Sequence, residues 1–282
     1  MKYKQILIII FVLFSLKSIA LAQNEVQPLL DKAVQFEKNA NYDEAIAIYL
    51  QILKIVPNSA SVYNNLGADY FELQKYDEAI SALEKSIARN SKYEKAYFNL
   101  ATVYWNLKRA DETISALQKA VEINPNYHEA HAKLCDVFLA SERANEAVVC
   151  YQKLLLIAPQ DVQSHSNYGV ALMKTKRLKE TIEVFEENLK NFLPNAEKFN
   201  NLGVALLELH RYKEAIKAFN SALEIEPANE PMRYNLAIAQ LADKNKTAAL
   251  EQYSFLKQTN TDLAEELFKM IYRDKIIAAK PK

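Results

Sequence analysis

Tyr63-Asn64-Asn65-Leu66-Gly67, followed by Tyr76-Asp77-Glu78-Ala79-Ile80 and Ala82-Leu83, is the stretch whose reading decides the fold. Tyr63, Leu66 and Tyr70 keep the three-to-four spacing of a single helix face. The same arrangement returns as Phe199-Asn200-Asn201-Leu202-Gly203 and Tyr212-Lys213-Glu214-Ala215-Ile216. Between and around these stretches, Pro57, Pro125, Pro159 and Pro227 follow apolar runs at separations of 68, 34 and 68 residues, all multiples of 34. A fixed period of this length is the mark of a repeat protein. Seven helical hairpins of 34 residues then cover 26–59, 60–93, 94–127, 128–161, 162–195, 196–229 and 230–263 without an insertion.

Within the period the eighth position is always small: Ala33, Gly67, Ala101, Cys135, Gly169, Gly203 and Ala237. Glycine inside a helix costs about 1 kcal/mol relative to alanine, so its recurrence asks for close approach of a second helix. The twentieth position answers with Ala45, Ala79, Thr113, Ala147, Thr181, Ala215 and Ala249, and this small-on-small contact is expected to join the two helices. Bulky residues at the twenty-fourth, among them Tyr49, Leu83, Phe185 and Phe219, are expected to fill the space around it.

These motifs resemble the tetratricopeptide repeat, and the resemblance extends over nearly the whole chain. It implies an all-α fold, an α-solenoid winding as a right-handed superhelix of seven helix-turn-helix repeats. Three local departures stand out: Ser91 where proline is usual, Pro194 one residue late, and Arg233 at an aromatic position. Stacked hairpins leave an apolar end that needs a cap. A capping helix is predicted over 262–276, with Asp262 at its start, Glu265 three residues on, and Leu263, Leu267, Met270 and Ile271 as its apolar stripe.

Residues 1–22 differ from the rest. Lys2 and Lys4 precede the apolar run Ile6 to Leu16, and Ala20-Leu21-Ala22 stands just before Gln23. This pattern predicts a signal peptide cleaved near Ala22-Gln23 and export to the periplasm or the cell exterior. The run is about half the roughly 20 residues a membrane span needs, so no membrane insertion is expected after cleavage.

The 35 basic and 35 acidic residues balance. Nucleic acid and anionic membranes call for clustered excess basic charge, and neither is expected as a partner. The chain has three glycines and no phosphate-cradling loop. His128, His131 and Cys135 share a helix face, but His131 and Cys135 fill packing positions of the repeat, so no metal is expected. No catalytic residue, cofactor or enzymatic activity is assigned. Cys135 and Cys150 are predicted to be buried reduced thiols, with a disulfide open if their Cα atoms come within about 7 Å. The recurring Glu44, Glu78, Glu112, Glu146, Glu180 and Glu214 suit the positive start of each second helix. The sequon Asn245-Lys246-Thr247 matters only where the host glycosylates exported proteins.

The resemblance implies that first helices line a concave groove where a protein or peptide binds. Their sixth position reads Asn65, Asn99, Lys133, Asn167, Asn201 and Asn235. An amide both donates and accepts, as a peptide group does, so such a column could hold an extended polypeptide by its backbone. It resembles the asparagine ladder of the repeats in protein-glycosylating transferases, although the resemblance is to their repeats and no catalytic domain is expected. The alternative is that these amides tie neighbouring hairpins together. Phe98 and Trp105 are candidate apolar anchors, with packing between hairpins as their alternative. The expected function is a non-catalytic scaffold or adaptor; the competing reading is a structural or accessory subunit of an envelope or secretion assembly, engaged through its outer face or termini.

Overall fold

The computed structural model describes residues 25–272. Among these, fifteen helices and no strand occur. They are α1 (25–38), α2 (Tyr42–Ile55), α3 (Ala60–Glu72), α4 (Tyr76–Arg89), α5 (Glu94–Asn106), α6 (Ala110–Ile123), α7 (His128–Ala140), α8 (Ala144–Ile157), α9 (Val162–Lys174), α10 (Leu178–Asn191), α11 (Ala196–Glu208), α12 (Tyr212–Ile225), α13 (Glu230–Ala242), α14 (Lys246–Thr259) and α15 (Thr261–Ile271). The expected signal peptide, 1–22, lies outside the described residues. Two compact units divide within α7, one ending at Val137 and the other beginning at Phe138. In each unit consecutive helices pack as hairpins and each hairpin packs on the next, for example α3 on α4 and α4 on α5, or α11 on α12 and α12 on α13. This is the α-solenoid arrangement.

Each hairpin reverses through the same backbone device. Ala40, Gln74, Lys108, Glu142, Lys176, His210 and Lys244 all have φ between 57° and 63°, the left-handed region, and none is glycine. At the second turn Gln74 N–H donates to the Phe71 carbonyl and Lys75 N–H to the Tyr70 carbonyl, both at 2.8 Å. This paired 5→2 and 6→1 closure satisfies carbonyls that a helix end leaves open. The residue after each of four of these turns is an arginine at the N-cap of the second helix. Arg109, Arg143, Arg177 and Arg211 pair with Glu112, Glu146, Glu180 and Glu214. Four of the six recurring glutamates therefore answer an arginine as well as the helix dipole. In the second hairpin Lys75 reaches back instead to Asp43 at 3.0 Å.

The side chain nearest each glycine of the eighth position comes from the twenty-fourth. A Cβ on Gly67 would lie 2.5 Å from Leu83 Cγ, and Cβ atoms on Gly169 and Gly203 would lie 2.6 Å from the rings of Phe185 and Phe219. The side chain at the twenty-fourth position thus fills the room the glycine leaves, with Ala79 contributing only its carbonyl oxygen at 3.2 Å from Gly67. The small-on-small contact is therefore refined: the twentieth position comes close at Gly67 through its backbone, and the large twenty-fourth side chain enters the gap. The physical reason is packing density: removing one Cβ makes space that a buried ring or leucine occupies.

The three departures from the repeat have one explanation. Side chains near the start of a first helix hold the carbonyl of the residue six before the fourth position. Tyr97 Oη donates to Ser91 O at 3.4 Å, the His131 ring bonds Pro125 O at 3.0 Å, His165 bonds Pro159 O at 2.9 Å, and Arg233 donates to Pro227 O at 2.6 Å. Phe199 has no donor, and the preceding Lys198 supplies one to Leu193 O at 3.0 Å. Arg233 also stacks over Phe255 at 3.9 Å and donates to Gln252, so it replaces both the donor and the ring. What recurs, at five of the six junctions, is a donor to the interhairpin carbonyl, whatever residue provides it.

At the C-terminal end, α15 buries Ala264, Leu267 and Ile271 against Ala237, Ala249 and Leu256. Its N-cap is Asn260, which accepts from Leu263 N–H at 3.2 Å and donates to Glu230 at 3.0 Å, so the expected cap at Asp262 is corrected. Met270 lies off the buried stripe and is exposed, as is Phe268. The helix ends at Ile271, and residues 273–276 of the expected span lie outside the described residues. Among the described residues no helix is long and apolar enough to cross a membrane.

Candidate protein-interaction surface

The sixth positions of the six first helices from α3 to α13 are all half-buried. In the N-terminal unit Asn65 Nδ2 donates to Tyr49 Oη at 3.1 Å, and Asn99 Nδ2 donates to Asn64 Oδ1 at 2.9 Å. In the C-terminal unit Asn235 Nδ2 makes the same bond to Asn200 Oδ1, also at 2.9 Å, and Asn167 Oδ1 accepts from Gln163 at 3.0 Å. Asn99 and Asn235 therefore each link one hairpin to the hairpin before it. Each gives only one N–H to this link. Lys133 and Asn201 occupy the same position on α7 and α11.

The candidate anchors separate. The Phe98 ring lies 5.2 Å from that of Tyr127, which holds it within the hairpin stack. Trp105 is 37% exposed at a position where Met173 and Leu207 pack onto the core. It is the only tryptophan in the sequence.

A polar chain missed in the sequence runs beneath Asn65. Tyr49 donates to Glu37 Oε1 at 2.6 Å while accepting from Asn65, and Asn64 donates to Asn65. Burial, then the Glu37 hydrogen bond, push the Tyr49 hydroxyl well above the usual tyrosine value. One turn after Asn65, Asp69 is 3% exposed and its Oδ2 has no hydrogen-bond partner. Burial, with the charges of Glu37 and Glu72 added, pushes its carboxyl up to about 7. The signal was present: the tenth position of the five later repeats holds Val103, Val137, Ala171, Ala205 and Ala239, and a buried carboxylate where those repeats place an apolar side chain is an anomaly.

Cys135 and Cys150 are both disulfide-bonded, correcting the reading of two reduced thiols. The helical period places both inside one hairpin but does not fix how their side chains meet. His131, weighed above as a metal ligand, instead bonds a backbone carbonyl. Among the described residues no group of three or more His, Cys, Asp or Glu side chains is arranged to hold a metal ion.

Family models described as tetratricopeptide repeat match residues 26–92, 70–134, 107–166 and 196–229, together more than half of the chain. No curated protein matches it. Similar solved structures include MamA, at 25% identity over 56% of this chain and 92% of that one, with a TM-score of 0.52. YrrB, described as a TPR protein with an unusual peptide-binding site, shares 20% identity over 67% of this chain and 99% of its own, with a TM-score of 0.57. A tetratricopeptide repeat protein from Parabacteroides merdae covers 88% of this chain and 99% of its own at 14% identity and a TM-score of 0.59. Family models and repeated hairpins agree, and the chain belongs to the tetratricopeptide repeat family.

Proposed function

We propose that this protein is a non-catalytic interaction scaffold that holds an extended segment of a partner polypeptide along the face made by its first helices. The observation that carries this reading is the state of the amides. Asn99 and Asn235 are oriented by a single bond to the preceding hairpin, which leaves a second N–H and the carbonyl oxygen for a ligand. A preoriented amide loses less side-chain freedom on binding. Trp105 supplies an accessible apolar contact on the same set of helices. YrrB, with its peptide-binding site, is consistent with such use of the fold.

Affinity capture from native extract tests it, comparing the protein with a variant carrying Asn65, Asn99, Asn167 and Asn201 changed to Ala, at matched helicity. Loss of the captured partners in the variant supports the reading. An unchanged partner set sinks it.

Export to an oxidising compartment is part of the proposal, supported by the charged-then-apolar start of the chain and by the bonded state of both cysteines. N-terminal sequencing of the protein from cell fractions tests this, with a start near Gln23 in the exported fraction as the expected result. The competing reading, a subunit that assembles through its terminus, is favoured by the exposed Phe268 and Met270 of α15. Concentration-dependent association abolished by Phe268→Ser would support that reading.

A further inference from the structure

Three carboxylates of the N-terminal unit stand together without a positive charge of their own. Asn65, Asp69 and Glu72 are spaced i, i+4 and i+7, which puts them on one stripe of α3. Glu37 meets this stripe from α1, and Tyr49, from α2, bridges Glu37 to Asn65. The charges acting on Asp69 are those of Glu37 and Glu72, both negative. Among the described residues, no lysine or arginine forms an ion pair with any of the three.

Asp69 marks the same place independently. It is almost fully buried, and its Oδ2 finds no donor. An uncompensated buried carboxylate is among the more expensive features a fold can retain, and a cation with donors to spare is what relieves it. On the neighbouring first helix, α5, Trp105 takes the repeat position held on α3 by Phe71, the residue before Glu72, and remains exposed. Helices α3 and α5 are in contact. Carboxylates together with an exposed indole are the two kinds of group that receive a lysine ammonium or an arginine guanidinium.

We propose that the first-helix face of the N-terminal unit is a subsite for a lysine or arginine side chain of the bound polypeptide. Glu37, Asp69 and Glu72 supply the charge and Trp105 supplies an aromatic wall. This rests on the reading of that face as a polypeptide-binding surface and adds what the segment must carry. Because Asp69 takes up a proton near neutrality while Glu37, Tyr49 and Glu72 face it, binding a cation there releases that proton.

Three capped heptapeptides test the subsite, each with Ser at odd positions and Lys, Gln or Glu at even ones. Affinities for the purified protein are read at low ionic strength from Trp105 fluorescence and by calorimetry. The lysine peptide is expected to bind at least tenfold more tightly than the glutamine peptide at pH 8, and the glutamate peptide more weakly than either. The lysine preference is expected to shrink at pH 5.5 and to be lost in Glu37→Gln/Glu72→Gln. Glu72 is exposed, so Glu72→Gln alone, expected to reduce the preference, keeps the test open if the double variant misfolds. Equal binding of the lysine and glutamine peptides overturns the cationic subsite while leaving the polypeptide-binding surface intact. A lysine preference that survives in these variants overturns the assignment to these carboxylates, and failure of all three peptides overturns both readings.

Discussion

Gly169 shows how little room a single residue controls. Its missing Cβ is the space into which the fully buried Phe185 ring fits, at 2.6 Å from where that atom would stand. Gly169→Ala is expected to displace the ring and destabilise the protein by about 1–3 kcal/mol, as overpacking does, despite alanine's better helix propensity. Urea unfolding of the variant checks it, and unchanged stability would mean that the ring has somewhere else to go. Asp69 makes the opposite kind of statement, about charge. Its folded value near 7 lies above the ordinary aspartate value of 3.8 expected in the unfolded chain, so the fold favours the protonated form. The stability this contributes is full below about pH 4 and is lost as pH rises through 7. Without ligand, the N-terminal unit is expected to lose about 2 kcal/mol between pH 5 and pH 8, with the slope largely removed in Asp69→Asn. Hydrogen exchange of α1 and α3 at the two pH values measures it.

At the scale of an element, the hairpin turns and the interhairpin carbonyls carry the local specification. Lys108 holds a left-handed conformation that costs a residue with a side chain about 1–2 kcal/mol, partly offset because glycine is freer when unfolded. Lys108→Gly is therefore expected to stabilise the protein by about 0.5–1 kcal/mol, seen as a higher urea midpoint at unchanged slope. His165→Phe keeps the ring but removes the donor to the Pro159 carbonyl, and about 1 kcal/mol of stability is expected to go with it. If His165→Phe were neutral, the carbonyl bond would be incidental and Lys198, Arg233 and Tyr97 would need separate explanations. The turn residues were illegible from sequence because five different residue types, none of them glycine, adopt one backbone conformation at the seven positions. The eighth-position glycines were legible as a close approach and the twenty-fourth-position side chains as their surroundings, but how deeply Leu83, Phe185 and Phe219 enter the gap was not, since only packing sets that distance.

For the whole molecule, helical hairpins that contact mainly their neighbours make stability a sum of local terms. Helix α15 closes the C-terminal unit by covering Ala237, Ala249 and Leu256. A chain stopped after Asn260 is expected to lose protection of α13 and α14 in hydrogen exchange while α9 and α10 keep theirs. Loss spread evenly through the C-terminal unit would mean that it unfolds as one cooperative body. The sequence by itself determined the class, a helical repeat, because a 34-residue period with small, large and proline positions in step leaves one way to bury the apolar faces. It also pointed to Asn65, Asn99 and Trp105 as polar and apolar features on first helices. Only the tertiary structure decided that Asn99 and Asn235 bond the preceding hairpin, that Trp105 stays exposed while Phe98 does not, and that Asp69 lies buried beside Glu37. Each of these depends on which side chains from separate helices meet, and a period along one chain fixes the faces that pack but not the partners that individual polar atoms find.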